Sequence, residues 1–285
     1  MKILITGAAG FIGFHLSKKL LNEHYIVFGI DNLNNYYDVN LKKDRVSYLN
    51  KSKNFIFNKI DLSNKKKINK IIEQNKIKYI VHLAAQAGVR YSIDHPEFYF
   101  KNNLEGFFNI LEIAKINKIK HLIFASTSSV YGNNSKFPLT EQMNTDQPLS
   151  FYAATKKSNE VMAYSYSNIY KLPSTALRFF TVYGPYGRPD MSLFKFTKAI
   201  LSNKKISFFN SGDHIRDFTY VDDIVDGVLA ALDNPRCYEI YNLGRGEAVL
   251  MADFVTCLEE LSGRQVVALH ESLLEHFFLP VGPFS

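Results

Sequence analysis

Tyr152 and Lys156 stand four residues apart in the run FYAATKK (151–157), which contains no helix breaker. On a helix that spacing puts both side chains on one face, about one turn apart. A phenol with an unperturbed pKa of roughly 10 is a poor base at neutral pH, but a fixed ammonium nearby favours the phenolate and lowers that value. The pair is therefore equipped for general-base chemistry. The Y-x-x-x-K spacing is also common on solvated helix faces, so its meaning depends on its surroundings.

Those surroundings carry chemistry too. Ser126-Thr127-Ser128-Ser129 ends the apolar run HLIFAS and leads into Val130-Tyr131-Gly132. Hydroxyls there can donate to or accept from a substrate alcohol without adding charge. At the other end of the chain KILIT (2–6) runs into Gly7, Gly10 and Gly13, followed by a helical pattern over 14–21. Strand, glycine turn and helix together let a pyrophosphate approach the backbone and meet the donors of a helix N-terminus. The next apolar run, 25–30, ends at Asp31. A carboxylate at that strand end can accept hydrogen bonds from ribose hydroxyls and repels a 2′-phosphate, which favours NAD over NADP.

Positioning these groups requires a sheet. Further apolar runs at 55–60 (ahead of Asp61), 78–85 and 121–126 alternate with helical stretches around 64–75 and 98–116. That alternation predicts an α/β fold, a Rossmann-type doubly wound parallel sheet covered on both faces. At 285 residues the chain can bury a large core. Its net charge of +7 comes from scattered lysines, Lys65-Lys66-Lys67 being the densest run. This reads as a solvated surface that attracts small polyanions, with no nucleic-acid partner. Cys237 and Cys257 form no C-x-x-C, which argues against a disulfide framework or a metal site and fits a reducing, cytoplasmic setting. No apolar run reaches the ~18 residues of a membrane span, so no membrane association is expected.

Taken together, the glycine pattern, Asp31, Asp61, the hydroxyl cluster and the Tyr152/Lys156 pair resemble the extended short-chain dehydrogenase/reductase family, specifically its nucleotide-sugar epimerases. The stretches DNLNNYYD (31–38), LAAQAGVRYS (83–92) and LRFFTVYGPYGRPDM (177–191) resemble the UDP-glucuronate 4-epimerases, and the likeness runs from residue 1 to about 245. The resemblance implies an NAD-binding domain over 1–175 that carries catalysis and a smaller substrate lobe over 176–285. It implies Thr127, Tyr152 and Lys156 as catalytic residues. Gly7, Gly10, Phe11, Ile12, Gly13, Asp31, Asn32, Asp61, Leu62, Leu83, Ala84 and Ala85 would hold NAD, together with Tyr152 and Lys156. Arg90, Ser128, Thr181, Arg188 and Arg216 would surround a UDP-sugar, and a homodimer would form through the stretch 98–116 and the helix of Tyr152.

The implied reaction is NAD-dependent epimerisation at C4, from UDP-glucuronate to UDP-galacturonate through a 4-keto sugar. A decarboxylating UDP-glucuronate enzyme and other nucleotide-sugar epimerases share its first step. Related dehydratases resemble T-D-E-V-Y-G at the hydroxyl cluster, whereas Ser128 and Ser129 offer no carboxylate. An NAD-binding sensor without turnover would have no need of Thr127, Tyr152 and Lys156. Toward the end the composition shifts: Lys205 is the last lysine, and from Gly227 Ile and Asn nearly vanish while Leu, Val, Ala and Glu take over. YEIYNLG (238–244) still fits the family and 252–261 reads as an amphipathic helix. The lobe is expected to be atypical and incomplete after about 245, as a hybrid or a shortened chain.

Overall fold

The computed structural model describes the chain apart from residues 135–136, 210–214, 265–267 and 272–285. From the N-terminus come β1 (Lys2–Thr6), α1 (Phe11–Asn22), β2 (Ile26–Asp31), α2 (Val39–Leu49), β3 (Phe55–Lys59), α3 (Lys65–Asn75) and β4 (Tyr79–His82). Two short helices, α4 (Tyr91–Asp94) and α5 (Pro96–Tyr99), lead through a π-helical turn (Phe100–Glu105) into α6 (Gly106–Ile116). Then follow β5 (His121–Thr127), a 3-10 turn (Ser128–Tyr131), α7 (Phe151–Tyr170), β6 (Ser174–Phe179) and β7 (Thr181–Tyr183). The remainder comprises α8 (Ser192–Leu201), β8 (Ile206–Phe209), β9 (Ile215–Arg216), β10 (Phe218–Tyr220), α9 (Val221–Asp233), β11 (Tyr238–Leu243), β12 (Val249–Leu250), α10 (Met251–Ser262) and β13 (Ala268–Glu271).

The main sheet runs β11-β6-β5-β4-β1-β2-β3, and its pairings are parallel. This is the doubly wound order, whose direction reverses between β1 and β4. Alternation in β1 shows why both faces are covered. Leu4 joins Phe28, Ile68, Ile110 and Phe124 under α3 and α6, while Ile3 and Ile5 join Phe14, Leu16, Leu20 and Val228 under α1 and α9.

The five expected strands are present. β4 stops at His82, three residues short of the apolar run, because the chain leaves the sheet there and Leu83 and Ala84 close on Gly7. α1 starts at Phe11 with Gly10 as its N-cap, three residues ahead of its apolar pattern. The sequence pattern did not reveal α2, because its inner face carries Lys42 and Arg45 beside Val46 and Leu49, so the apolar period is broken.

The chain divides into two compact units, Met1–Tyr186 with Thr219–Gly244, and Gly187–Phe218 with the residues from Arg245 onward. Within the second, Phe218 stacks on Phe254 of α10 at 4.7 Å, and β9 pairs antiparallel with β12. α10 coincides with the expected amphipathic helix. Residues 272–285, on which the expectation of an incomplete end partly rests, lie outside the described residues.

In the first unit a buried polar network joins α7 to the sheet. The Glu160 carboxylate accepts from Arg178 Nε and Nη2, both at 2.9 Å, and from Ser126 Oγ at 2.6 Å. Arg178 Nη1 donates to the Tyr131 hydroxyl at 2.9 Å, which donates to Asn242 Oδ1 at 2.6 Å. Burial opposes the Arg178 charge, but the bonds and charge of Glu160 outweigh it and hold the guanidinium's pKa above its ordinary value. Such a pair is costly to break from one side, because the survivor is a buried charge. Arg178→Met is expected to lower stability by about 3–5 kcal/mol, read as a fall in the urea midpoint. The double variant Glu160→Leu/Arg178→Met should recover part of that loss.

Candidate active site

The site grows from the carboxyl ends of β1, β4 and β5. Gly7 follows β1 with φ +75°, and a Cβ there would lie 2.7 Å from Ala84 N and 2.8 Å from Leu83 C. At Gly13 a Cβ would fall 2.1 Å from the Gly7 carbonyl oxygen, so only glycine lets α1 pack this closely on the turn. The result is a cradle with the N-terminal amides of α1, those of Phe11, Ile12 and Gly13, at its rim and no acidic side chain in the helix's first turn. Backbone kept clear of Cβ atoms beside a helix N-terminus fits a dinucleotide pyrophosphate.

Asp31 ends β2 and braces this cradle: Oδ2 accepts from Ala9 N at 3.2 Å and Oδ1 from Leu33 N at 2.8 Å. Burial raises its pKa, opposed by those two amides and by the charges of Lys42 and Arg45. Asp61, beyond β3, accepts from Asn32 Nδ2 at 2.8 Å. Burial pushes the Asp61 pKa up, but the bonds from Asn32 and Ser63 and the charge of Lys101 outweigh it and leave the carboxyl below its ordinary value. The two acids and Asn32 thus form one acidic corner at the ends of β2 and β3, with Leu62 buried behind it.

α7 carries the base candidates. Its N-cap Ser150 accepts from Ala153 N, so the helix begins just ahead of Tyr152. One turn on, the buried Lys156 donates Nζ–H to the Ala125 carbonyl at 3.0 Å, two residues before Thr127. Burial alone pushes the Lys156 ammonium down to about 8. Beneath it His82 is fully enclosed, and burial followed by the Lys156 charge pushes its pKa down to about 3, so the ring is neutral. His82 Nδ1 lies 2.8 Å from Thr6 Oγ1, which also accepts from Ala84 N at 3.2 Å. Thr127 ends β5 and caps the 3-10 turn: its Oγ1 accepts from Ser129 N and donates to Ser129 Oγ, both at 3.2 Å. Tyr152 is half-buried, its ring edge-on to Tyr99 at 6.1 Å.

Sequence reasoning missed Asn103. In the π-helical turn its Oδ1 accepts from Gln86 N at 2.8 Å and its Nδ2 donates to Gln86 O at 3.0 Å. The same Nδ2 donates to Thr155 Oγ1, whose hydroxyl donates to the Tyr152 carbonyl at 2.7 Å. Asn103 thereby ties the loop holding Leu83, Ala84 and Ala85 to the turn of α7 that holds Tyr152. Its only signal was a buried asparagine inside a helical stretch, which the pattern cannot distinguish from a solvated one.

The substrate candidates are distributed more widely. Within the first unit Arg90 is exposed at the start of α4, Ser128 opens the 3-10 turn, and Thr181 opens β7. Within the second, Arg188 is paired with Asp190 through Nε at 3.0 Å and through Nη2, and Arg216 is exposed on β9. Asp217 beside it accepts from Arg245 N at 2.9 Å and Gly246 N at 2.7 Å.

The NAD dependent epimerase/dehydratase family model matches residues 3–244. Protein CapI of Staphylococcus aureus is 48% identical, covering 93% of this chain and 84% of its own. A UDP-glucuronate 4-epimerase of Thermodesulfobacterium geofontis is 46% identical, with 92% and 81% covered. Among solved structures, the UDP-glucuronic acid 4-epimerase of Bacillus cereus in complex with UDP-glucuronic acid and NAD superposes with a TM-score of 0.90 at 37% identity, covering 95% of this chain and 86% of that one. The family model spans most of the chain and these relatives are covered over most of their length, so the chain belongs to the NAD dependent epimerase/dehydratase family.

Proposed function

We propose that this chain is a UDP-glucuronate 4-epimerase, interconverting UDP-glucuronate and UDP-galacturonate through a 4-keto sugar. The observation that carries the reading is α7, which holds Tyr152 one turn from a buried Lys156 anchored to β5 just before Thr127. The relatives and solved neighbours that bear that activity in their names support it. Bound in the glycine cradle and acidic corner, NAD supplies a hydride acceptor and donor for C4.

The remaining chemistry belongs to side chains. The Tyr152 phenolate takes the proton from the C4 hydroxyl as that carbon becomes a carbonyl, and the Thr127 hydroxyl steadies the same oxygen. Lys156, charged below about pH 8, favours the phenolate. When the 4-keto sugar presents its other face, Tyr152 returns the proton and C4 is inverted. A 4-keto uronate is a β-keto acid and loses carbon dioxide when the breaking bond aligns with the carbonyl π system. We assign Thr181 and Arg188 to holding the carboxylate out of that alignment, and Arg90, Ser128 and Arg216 to the rest of the UDP-sugar. In this reading 1–175 supplies the cofactor and catalytic groups and 176–285 the substrate lobe, although most of β6, together with α9 and β11, lies in the latter stretch and belongs to the first compact unit.

We further propose a homodimer through α6 and α7. Phe108 on α6 and Val161 and Tyr164 on α7 are exposed, on surfaces away from the residues these helices bury against the sheet. A cytoplasmic setting accords with Cys237 and Cys257 both being free, and no described helix is long and apolar enough to cross a membrane.

Incubation with UDP-glucuronate, without added reductant, is expected to yield UDP-galacturonate and no carbon dioxide, read by anion-exchange chromatography and proton NMR. A pentose product from the unaltered chain would overturn the reading. Arg188→Ala should weaken substrate affinity about tenfold or more and release some decarboxylated product. Tyr152→Phe should lower kcat by about 10²–10⁴-fold while NAD stays bound. The Lys156 ammonium is intact below about pH 8 and lost as pH rises through that value, so kcat should decline on the alkaline side. Lys156→Met should remove that limb and lower the plateau, as measured by initial rates across pH.

A further inference from the structure

The segment that ends the first unit, Pro185-Tyr186, is held in a way the proposed reaction does not explain. Tyr186 has φ +55°, the left-handed region that a tyrosine adopts only when its surroundings impose it. Three contacts impose it. Arg45 Nη2 donates to the Tyr186 carbonyl at 2.6 Å, His15 Nε2 donates to the Pro185 carbonyl at 2.8 Å, and the Tyr186 ring leans on Phe14 with centroids 5.0 Å apart.

Arg45 is the centre of this arrangement. It is completely buried on α2, and its Nη1 donates to the Ala9 carbonyl at 2.9 Å and to the Tyr37 hydroxyl at 2.8 Å. Ala9 lies in the glycine turn, and its amide is held from the other side by Asp31. A single guanidinium therefore ties the cradle proposed for the pyrophosphate to the Pro185-Tyr186 backbone that follows Thr181 and β7. The planar fork of donors makes this possible, because a lysine in the same place can reach only as a point charge.

We infer that Arg45 is a positioning residue: it couples the state of the glycine turn to the placement of the substrate segment 181–186. The inference rests on the proposed role of Thr181. It also explains one of the two tyrosines in DNLNNYYD. Tyr37 completes the Arg45 contacts, while the hydroxyl of Tyr36 lies against Gly88 of the AGVRYS loop, where a Cβ would fall only 2.4 Å away.

The test combines hydrogen–deuterium exchange with steady-state kinetics on the full chain. In the unaltered protein, added NAD should slow amide exchange in the peptide spanning 181–186. Arg45→Gln should still bind NAD by calorimetry yet lose that protection, and its KM for UDP-glucuronate should rise about tenfold or more, with kcat falling less. Tyr186→Gly, which removes the ring contact and frees the backbone at an exposed position, should shift both readouts the same way and serves if Arg45→Gln does not fold. No NAD-dependent protection at 181–186 in the unaltered chain, or wild-type protection and KM in Tyr186→Gly, would overturn the inference. Absence of turnover with the exchange pattern intact would remove the epimerase reading and leave the coupling standing.

Discussion

A carboxylate with no access to water sits at the middle of α7, and the working geometry depends on how it is satisfied. Glu160 takes the fork of Arg178 from β6 and the hydroxyl of Ser126 from β5, so three elements meet at one charge. Buried ions tolerate few arrangements, since any shift that loses a bond exposes the cost of desolvation. The helix is thus fixed in rotation and height against the sheet. Lys156, one turn earlier, then meets the Ala125 carbonyl, and Tyr152, two turns earlier, lies edge-on to Tyr99.

The cofactor side of the fold uses a different constraint, the exclusion of side chains. Gly7 and Gly13 bring the first turn, the loop after β4 and the start of α1 to distances that a Cβ would forbid. Polar groups then occupy the backbone bonds of that turn: Asp31 takes the Ala9 amide and Arg45 the Ala9 carbonyl. Asn103 performs the same service for the Gln86 peptide. Much of what surrounds the site is therefore backbone held by buried side chains, which gives a rigid frame to a reaction needing only one proton acceptor.

Electrostatics within the frame are arranged by burial. Lys156 loses affinity for its proton because it is enclosed, and His82 next to it loses more and remains neutral. A neutral ring beneath the ammonium adds no like charge, so the lysine can still favour a phenolate across the range where cells operate.

The parallel sheet, the glycine turn, Asp31, Thr127 and the Tyr152/Lys156 pair were legible in the sequence. These depend on local rules: apolar runs that alternate with helices, glycines where the chain must turn, and a spacing of four that one helical turn converts into proximity. What escaped were residues whose role is to be buried although polar. α2 was hidden because Lys42 and Arg45 occupy its inner face, and Asn103, Glu160 and Arg178 looked like any polar residue in a helix or strand. The sequence by itself determined which reactive groups the chain carries and at what spacing, and the resemblance of their motifs to a family indicated the chemistry. Only the tertiary structure decided which polar groups support it, because their partners lie up to 170 positions away along the chain, as Pro185 does from His15, and a buried charge takes its meaning from the partner that neutralises or bonds it.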